Sequence, residues 1–366
     1  MNADKKQKGS YPCSSVFIGG YSLFAASQGL GAGTHAEKLL AWYQQGHRDL
    51  PWRRTADPYL IWISEIMLQQ TRAQAVIPFY LRFLDRFPTV EALAAAAEED
   101  VLALWSGLGY YSRARNLVRA ARQIAGTGSF PRDYAALRAL PGIGDYTAAA
   151  IASIAFQLPY AVLDGNVLRV VARVENDASD IAAPRTRERF RAVAQAWLDP
   201  RHPGLYNQAL MELGATVCLP RNPLCLVCPL TAVCRAREEG VAAQLPVKLR
   251  KTAAVQLDGT LLIVRRGARI LLRQRDAALR LMAGFWDLPA PEDLPGARIG
   301  KTFGEIRHTI THHHYTLTVL AASGARPGSG PKGHTGPKFG WFRPIQLAGI
   351  PLSTTARKAL KLAGIL

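Results

Sequence analysis

The sequence predicts two domains, a mainly α-helical domain followed by a smaller α+β domain. The chain has 366 residues, which is more than one compact core usually serves. Apolar residues recur at helical spacing from His35 to about Arg237, whereas stretches typical of strands follow Gly240. We therefore divide the chain into an N-terminal extension, a helical domain, a linker and a second domain, at residues 1–34, 35–238, 239–252 and 253–366.

Capping and proline signals mark the helices of the first domain. Asp57 followed by Pro58 is typical of an N-cap and a first helical residue, and it predicts one helix over Tyr59 to Ala75. Pro88-Thr89-Val90-Glu91 opens another helix, and two helices flank the short break Pro141-Gly142-Ile143-Gly144. The other predicted helical segments are Ser112–Ala125, Asp133–Leu140, Tyr146–Phe156, Asn166–Val174 and Thr186–Trp197.

The second domain combines strand patterns with one helix. A helix is predicted near Ser353 to Ala363, and the Gly- and Pro-rich residues 324–336 form a loop. The linker, residues 239–252, contains a proline and a basic run, and we expect it to be exposed. The strand-like stretches are Gly259–Val264, Arg269–Leu272, Tyr315–Leu320 and Phe339–Phe342.

The chain lacks the sequence signs of export or membrane insertion. No apolar run approaches the ~20 residues of a membrane span. Residues 1–34 are rich in Gly and Ser and lack the apolar core of a signal peptide. We therefore expect a disordered extension there, a cytoplasmic protein and no membrane partner.

The charge of the chain favours a polyanionic partner. Lys and Arg total 45 against 27 Asp and Glu, a formal net charge of +18, which is typical of nucleic-acid binding. A basic protein without such a partner is the alternative. Only 11 of the 45 are Lys, and none stands between Lys38 and Lys248. Residues 39–247 therefore offer no lysine amine as a nucleophile.

Four cysteines form one short cluster with the pattern C-x6-C-x2-C-x5-C: Cys218, Cys225, Cys228 and Cys234. Thiolates at such spacing bind zinc or an iron–sulfur cluster, and composition does not choose between them. Zinc ribbons usually pair two CxxC knuckles, whereas this cluster has one. Disulfides are disfavoured in a chain without a secretion signal.

A short hairpin, Leu140-Pro141-Gly142-Ile143-Gly144, joins two of the predicted helices. Its glycines permit a tight turn and a close approach of a ligand to the backbone, and the N–H groups that open the next helix suit a phosphate oxygen. An ordinary helical turn is the alternative. Downstream, Asp164 caps the helix that starts at Gly165 or Asn166, provides a carboxylate beside a sugar C1′, or does both.

The hairpin, Asp164 and the four cysteines, in this order, resemble the arrangement of the endonuclease III superfamily of DNA glycosylases. The resemblance implies a mainly α helix-hairpin-helix glycosylase fold, and a 4Fe–4S cluster on the cysteines that serves structure and DNA binding without a redox step. It also implies that Gly142, Ile143 and Gly144 bind DNA, with a monovalent cation held by hairpin carbonyls. The superfamily's lyases carry a lysine two residues after the second hairpin glycine, and here that residue is Tyr146.

Four further segments resemble the MutY-type adenine DNA glycosylases, within a match from about His35 to Cys234. The resemblance implies a monofunctional enzyme that removes adenine opposite 8-oxoguanine or guanine in double-stranded DNA, and we expect it to be a monomer. The segments are Asp49-Leu50-Pro51-Trp52-Arg53, the run from Trp62 to Arg72, the run from Gly107 to Leu117, and Asn207-Gln208-Ala209-Leu210.

Glu65 is the first catalytic candidate. It stands in an otherwise apolar helix, and burial of a carboxyl raises its pKa so that it stays protonated near neutral pH. A carboxylate on a helix surface or a buried capping partner is the alternative. The resemblance assigns Glu65 as the acid that protonates adenine N7 and Asp164 as the stabiliser of the oxocarbenium ion. It assigns Tyr146 and Asn166 as supports of the Asp164 carboxylate.

The resemblance also assigns residues that contact the bases. The target adenine has to leave the base stack to reach such a site. Tyr110 matches the tyrosine that fills the gap, although packing in a core is the ordinary interpretation of a tyrosine in G-L-G-Y-Y. The residues that match the adenine pocket are Trp52, Arg53 and Gln208, and those that match contacts around the orphan 8-oxoguanine are Leu68, Gln70 and Thr71.

The second domain contains Gly284-Phe285-Trp286-Asp287-Leu288-Pro289, a segment similar to one in Nudix-like folds and in the C-terminal domain of the MutY-type family. The Glu-rich Nudix catalytic box is missing, so this α+β Nudix-like C-terminal domain is interpreted as a lesion-recognition domain rather than a pyrophosphate hydrolase. The family's Phe-Ser-His reading loop corresponds to Ile310-Thr311-His312, which implies that Thr311 and His312 contact 8-oxoguanine. On a strand, His312 and His313 face opposite sides, which disfavours a shared metal site.

Two other functions compete with this interpretation. An endonuclease III-like glycosylase and lyase would act on oxidised pyrimidines, and Tyr146 in the lysine position argues against it. A non-catalytic iron–sulfur DNA-binding protein would not need both Glu65 and Asp164. We therefore predict a monofunctional adenine DNA glycosylase of base excision repair, which hydrolyses the N-glycosidic bond.

Overall fold

The computed structural model describes residues 32–249, 253–276, 282–310, 312–324 and 338–366. Most of the N-terminal extension predicted as disordered lies outside these residues, as do Thr311 and most of the loop predicted over residues 324–336. Within the described ranges, no helix has both the length and the apolar content that a membrane crossing requires.

The first domain is built from helices, as predicted. Asp57, Thr89 and Asp133 each cap the helix that follows, through a side-chain oxygen that accepts a backbone N–H. The short turn Pro51–Arg53 is a 3-10 helix. In chain order the α-helices are α1 Ala32–Gly46, α2 Pro58–Leu68, α3 Ala73–Arg86, α4 Val90–Ala95, α5 Glu98–Trp105, α6 Ser112–Thr127, α7 Tyr134–Ala139, α8 Asp145–Phe156, α9 Gly165–Val174, α10 Pro184–Trp197, α11 Pro203–Thr216 and α12 Arg235–Glu238.

The prediction of one helix over Tyr59 to Ala75 is wrong, because the chain breaks between α2 and α3. Gln70 takes a φ of 57°, a left-handed conformation that a continuing helix cannot contain. The break leaves the carbonyls of Ile66 and Met67 without helical partners, and both accept hydrogen bonds from the guanidinium of Arg113. The residues of the break are polar, so they gain little from burial in a longer helix.

Helix α2 lies inside the helical core. Every residue from Ile61 to Met67 is buried, and Trp62 and Ile63 have no exposed surface. A helix that is covered on all sides is normally apolar throughout. The carboxyl of Glu65 is therefore held where the packing of its neighbours, rather than its own polarity, determines its position.

The second domain combines a sheet with one packed helix, as the α+β prediction has it, and the sheet is mixed. In the described residues, the sheet order is β3-β2-β1-β5-β4, and β6 pairs with β2. The strands β1 and β5 run parallel, whereas β4 pairs with β5 in the antiparallel direction. The elements are β1 Val255–Arg266, β2 Arg269–Gln274, β3 Trp286–Asp287, β4 Arg298–Ile310, β5 His313–Ser323, β6 Lys338–Phe342 and α13 Thr354–Leu362.

The first half of the predicted linker is packed at Ala242 and Leu245, whereas Ala243 and Gln244 are exposed as expected. Ala242 and Leu245 are 8% and 5% exposed, and they form a small cluster with Cys225 and Cys234. The carbonyl of Val247 accepts a hydrogen bond from the backbone of the helical domain. The expectation of exposure is therefore wrong at Ala242 and Leu245, because these apolar side chains cover the cysteine loop.

The two domains meet at the segment that joins β2 to β3. Phe285 has no exposed surface and packs in the core of the helical domain, with its ring centroid 4.0 Å from that of Tyr111. The next residue, Trp286, packs in the core of the second domain. Ser106, at the end of α5, donates a hydrogen bond of 2.8 Å to the carbonyl of Leu352.

Candidate active site

An open cleft of about 1200 Å³ runs beside α2 and reaches the starts of α8 and α9. It brings together most of the residues that the sequence predicts for chemistry and base contact. Those that line it are Glu65, Tyr146, Asp164, Asn166, Trp52, Arg53, Gln208, Leu68, Gln70, Thr71 and Gly144. The predicted residues Tyr110, Gly142, Ile143 and His312 lie outside its lining.

Glu65 carries the expected perturbed carboxyl. It is 5% exposed, and burial raises its pKa from 4.5 to about 7. The charge of Asp164 raises the pKa further, whereas the Tyr146 hydroxyl and the charge of Arg53 lower it. Glu65 is therefore a carboxyl group that is protonated in a large fraction of molecules at neutral pH, as general acid catalysis requires.

Tyr146 is the nearest partner of Glu65. Its hydroxyl donates a hydrogen bond of 2.6 Å to Oε2 of Glu65, and it also lies 3.2 Å from the sulfur of Met211. The predicted support of the Asp164 carboxylate by Tyr146 stays a prediction, because the hydrogen bond of the Tyr146 hydroxyl goes to Glu65. Burial and the neighbouring Glu65 raise the pKa of Tyr146 well above its ordinary value, so the phenol stays a donor.

Asp164 combines the two roles that its sequence position allows. It is the N-cap of α9, since Oδ1 accepts the N–H of Val167 at 2.7 Å. The side-chain amide of Asn166 donates to Oδ2 at 2.9 Å. Burial raises the pKa of Asp164, and these two donors act in the opposite direction by stabilising the carboxylate. The carboxylate is thus oriented by its own helix and faces the cleft.

A glycine on α11 allows α9 to approach closely at this point. A Cβ at Gly214 would lie 2.6 Å from Cβ of Asn166, which is closer than side-chain atoms pack. A side chain at position 214 would displace Asn166, so the glycine preserves the place of the Asn166 amide beside Asp164. Sequence reasoning did not identify Gly214, since a single glycine inside a helix has no local signal for such a role.

A second buried carboxyl, Glu212, was also absent from the predicted set. Nε and Nη2 of Arg48 donate to its two oxygens at 2.8 and 2.7 Å, and Nη2 of Arg53 donates to Oε2 at 2.6 Å. Burial opposes the charge on Glu212, but the two arginines outweigh it and lower its pKa from 4.5 to about 2. Glu212 therefore fixes the guanidinium of Arg53 at the wall of the cleft.

The other two predicted pocket residues differ in their surroundings. Trp52 is 6% exposed and its ring makes an edge contact with Tyr80 at 5.4 Å, so most of its surface packs in the core. Gln208 accepts a hydrogen bond of 3.5 Å from the hydroxyl of Tyr43. Both still line the cleft, and their contact with adenine stays a prediction.

The exposure of Tyr110 argues against the alternative that this tyrosine packs in a core. It is 38% exposed and takes a φ of 50°, in a turn where Gly107 and Gly109 also have positive φ. The next residue, Tyr111, is 6% exposed. The turn therefore buries one of the two adjacent tyrosines and presents the other to solvent.

The hairpin before α8 is tightly packed at its first glycine and open at its second. Gly142 has a φ of 79°, and a Cβ there would lie 2.6 Å from Cβ of Asn116, so the position requires glycine. Gly144 has open space around it and leaves the start of α8 accessible. Asp145, the first residue of α8, forms ion pairs with Arg138 at 2.5 Å and Arg191 at 2.9 Å, which offset its charge beside a potential phosphate site.

The four cysteines converge on one cavity. All are free thiols, and they share the cavity with apolar side chains such as Val170, Leu213 and Leu230. Burial and the proximity of the other three cysteines raise the pKa of Cys228 to about 11. Arg173 donates to the sulfur of Cys218 at 3.2 Å and supplies positive charge there. The described residues contain no group of three or more His, Cys, Asp or Glu side chains placed to hold a single metal ion. Four thiol donors around an apolar cavity are, however, the donor set that a thiolate-bound 4Fe–4S cluster uses.

The predicted lesion-reading loop is only partly described. Thr311 lies outside the described residues. The rings of His312 and His313 are 4.1 Å apart, so the prediction that they face opposite sides is wrong. The physical reason is that His312 belongs to the turn between β4 and β5 rather than to a strand, and strand alternation does not apply to it.

Comparison with known proteins identifies the class of both domains. Residues 63–196 match the model of the HhH-GPD superfamily base excision DNA repair protein, and residues 259–362 match that of the NUDIX domain. A solved structure of a thermostable thymine-DNA glycosylase is similar with a TM-score of 0.52 and 28% identity, over 57% of this chain and 97% of that one. These matches agree with the predicted helix-hairpin-helix and Nudix-like folds.

Curated relatives narrow the class to a family. Adenine DNA glycosylase of Homo sapiens is 47% identical over 218 residues, which cover 57% of this chain and 40% of the relative. Adenine DNA glycosylase of Buchnera aphidicola subsp. Schizaphis graminum (strain Sg) is 34% identical over 233 residues, 63% of this chain and 67% of the relative. The chain belongs to the adenine DNA glycosylase family. It spans less than half the length of the human relative it matches.

Proposed function

We propose that the chain is a monofunctional DNA glycosylase that removes adenine opposite 8-oxoguanine or guanine in double-stranded DNA. The observation that carries the proposal is the arrangement around Glu65. A buried carboxyl with a pKa of about 7 and the capped carboxylate of Asp164 line one cleft, and Tyr146 stands at the position of the lyase lysine. The relatives' names support adenine as the base that is removed.

The chemistry follows from the two carboxyl groups. Glu65 gives its proton to N7 of the flipped adenine, which turns the base into a leaving group. The C1′–N9 bond then breaks with its electron pair going to adenine, and Asp164 stabilises the positive charge that develops on the sugar. The Glu65 carboxylate next helps to orient a water molecule for attack at C1′. The products are free adenine and an abasic site.

Residues 39–247 also limit what the enzyme does after base removal. Lyase chemistry requires an amine that attacks C1′ and forms a Schiff base. The hydroxyl of Tyr146 cannot do this, and it is already committed as a donor to Glu65 at 2.6 Å. We therefore propose that the sugar–phosphate backbone stays intact.

We further propose that Cys218, Cys225, Cys228 and Cys234 hold a 4Fe–4S cluster. The convergence of four free thiols on one apolar cavity supports this, and the family gives iron–sulfur preference over zinc. The cluster would stabilise the loop from Cys218 to Cys234 and take no part in base removal. Broad visible absorbance that disappears when all four cysteines are replaced by alanine would support iron–sulfur, and stoichiometric zinc in a colourless protein would contradict it.

The partner in this proposal is a DNA duplex with an A:8-oxoguanine or A:G mispair. The net charge of +18 and the accessible start of α8 at the hairpin suit sequence-independent contact with phosphates, and the predicted monovalent cation would sit at the hairpin carbonyls. The NUDIX match supports assigning lesion reading to the second domain. We place the enzyme in the cytoplasm as a monomer.

One assay tests the function directly. The protein is incubated with duplexes that carry adenine opposite 8-oxoguanine, adenine opposite guanine, or an oxidised pyrimidine opposite guanine, and strand cleavage is measured with and without hot alkali. We expect strand breaks only after alkali and only at adenine. Cleavage without alkali, trapping of a covalent complex by borohydride, or activity confined to the oxidised pyrimidine would contradict the proposal.

A further inference from the structure

One arginine outside the predicted set is buried against the end of α2. Arg113 lies in the first turn of α6 and is 8% exposed. Its Nη1 atom lies 2.7, 3.1 and 2.5 Å from the carbonyl oxygens of Ile66, Met67 and Gln69. The guanidinium therefore caps the helix that carries Glu65 and holds the backbone immediately before Gln70.

The same guanidinium also holds the turn that presents Tyr110. Its Nη2 atom donates to the carbonyls of Leu108 and Gly109 at 3.4 and 3.2 Å, and Nε donates to that of Tyr110 at 3.4 Å. The guanidinium carbon lies 5.3 Å from the centre of the Tyr110 ring. One side chain thus bonds to two loops that are about 40 residues apart in sequence, at Gln69 and Tyr110.

The charge of Arg113 is balanced without an acid. In the described ranges, no carboxylate lies within ion-pair distance of it; its acceptors are carbonyl oxygens, two of them at the negative end of α2. Burial lowers the pKa of Arg113 to about 10, which leaves it charged at neutral pH. A planar fork of five N–H donors can bond to several carbonyls at fixed angles, whereas a lysine ammonium cannot.

Both loops hold a non-glycine residue in the left-handed region. Gln70 has a φ of 57° and Tyr110 a φ of 50°. Such conformations persist only where the surroundings determine them, and they cluster at functional sites. Arg113 bonds to the carbonyl just before Gln70 and to the carbonyl of Tyr110 itself, so it contacts the backbone at both of these residues.

We propose that Arg113 is a positioning residue for lesion recognition, which holds the Gln70 and Tyr110 turns at a fixed separation so that both side chains enter the DNA together. The inference rests on the proposed function, because it takes from it that Gln70 and Tyr110 contact the bases. Arg113 itself touches neither substrate nor reacting atoms. Its effect is on which duplex is bound, and only secondarily on the bond-breaking step.

The first experiment compares Arg113→Lys with the unaltered chain. Binding is measured to duplexes with 8-oxoguanine or guanine opposite 2′-fluoro-deoxyadenosine, which is not cleaved, and adenine release is measured under enzyme excess with normal adenine. We expect at least about tenfold weaker binding to the 8-oxoguanine duplex, the effect of losing one charge-assisted hydrogen bond. The preference over guanine should shrink, and the rate at saturation should fall less than the affinity.

Arg122→Lys is the matched control on the same helix. Arg122 also bonds to backbone carbonyls, those of Ala94 and Ala96 at 3.3 and 3.2 Å, but it lies away from both turns. This variant should bind and discriminate as the unaltered chain does. Arg113→Gln, which keeps two N–H donors without the charge, is the second variant if the lysine form is poorly folded, and it should show the same loss of preference.

A double-mutant cycle separates positioning from general stability. Tyr110→Asn removes the ring while keeping a residue that tolerates positive φ. If Arg113 acts by placing the Tyr110 and Gln70 turns together, Arg113→Lys should weaken binding of the 8-oxoguanine duplex less in the Tyr110→Asn background than in the unaltered chain, since the part that acts through Tyr110 is already lost. Losses that multiply would show that Arg113 acts independently of Tyr110, and would overturn the proposal.

Two further outcomes decide the matter. Unchanged affinity and preference in Arg113→Lys, with an active parent chain, would overturn the proposal and leave the proposed function intact. An equal loss of binding to damaged and undamaged duplexes, together with a lower midpoint of thermal unfolding, would also overturn it, because Arg113 would then only stabilise the fold. Failure of the unaltered chain to release adenine would instead contradict the proposed function.

Discussion

Two glutamates beside the same cleft are almost equally buried, yet their protonation differs. Glu65 is 5% exposed and Glu212 is 1% exposed. The partner of Glu65 is a phenol hydroxyl, and its pKa rises to about 7. Glu212 bonds to the guanidinium groups of Arg48 and Arg53, and its pKa falls to about 2.

The difference shows that neighbours as well as burial decide what a buried carboxyl can do. Burial alone disfavours the charged form of both side chains. The guanidinium groups of Arg48 and Arg53 reverse the effect of burial at Glu212. Glu212 therefore stays ionised at neutral pH and orients Arg53. Among the residues that the structure describes, no cation forms an ion pair with Glu65, so its proton is available for transfer at neutral pH. One carboxyl is suited to chemistry and the other to holding the pocket.

The largest expected effect is a fall in the rate of adenine release when Glu65 is replaced by glutamine (Glu65→Gln). The amide keeps the size of the side chain but has no transferable proton, so adenine release under enzyme excess should fall by roughly 10²–10⁴-fold. Binding to a duplex with uncleavable 2′-fluoro-deoxyadenosine opposite 8-oxoguanine should remain. Undiminished adenine release would remove Glu65 from the mechanism.

The second largest expected effect is a loss of folding stability in the variant Glu212→Gln. Loss of the anion leaves Arg53 buried without a counter-charge, which should lower the free energy of unfolding by about 3 kcal/mol, measured by urea denaturation. Because the pKa of Glu212 falls from 4.5 to about 2 in the fold, its contribution is present above pH 4.5 and is lost as the pH falls through about 2. Asp49→Asn, in the exposed pair with Arg54, is the control and should change little.

The pH dependence of adenine release should follow Glu65. Its pKa is raised from 4.5 to about 7, so the acid form is present below pH 7 and is lost as the pH rises through that value. Single-turnover rates should therefore decline on the alkaline side with a midpoint near 7. A rate that stays flat between pH 6 and pH 9 would mean that another group supplies the proton.

The smallest expected effect is that of Tyr146→Phe. Its hydrogen bond lowers the pKa of Glu65, so removing the hydroxyl should move the alkaline decline in rate to higher pH. The rate on the acidic plateau should change little, because the proton donor is retained. A shift to lower pH would show that Tyr146 stabilises the protonated form of Glu65 instead.

Sequence patterns predicted the features that depend on near neighbours in the chain. Asp57, Thr89 and Asp133 cap helices because a capping side chain acts within three residues. The spacing of the four cysteines predicted that their side chains come together, because all four lie in one short segment of the chain. The raised pKa of Glu65 was predictable because its apolar flanks imply a buried helix.

The features that sequence reasoning missed depend on partners far along the chain. Arg48, Glu212 and Arg113 are ordinary charged residues in sequence, and only the fold joins Arg48 to a carboxyl 164 residues away. The break at Gln70 was missed because the guanidinium that donates hydrogen bonds to the carbonyls at the end of α2 belongs to Arg113, on α6. The closeness of the His312 and His313 rings was missed because the pattern around them does not reveal that His312 lies in a turn.

The boundary between the two domains passes between two neighbouring aromatic residues, Phe285 and Trp286. The ring of Phe285 belongs to the core of one domain and that of Trp286 to the core of the other. A hinge between the domains would have to pull a phenyl ring out of close packing and leave a hole of its size, which costs on the order of 3–5 kcal/mol. The two domains should therefore move as one rigid body, and a ligand bound against the second domain would keep a constant distance from Glu65.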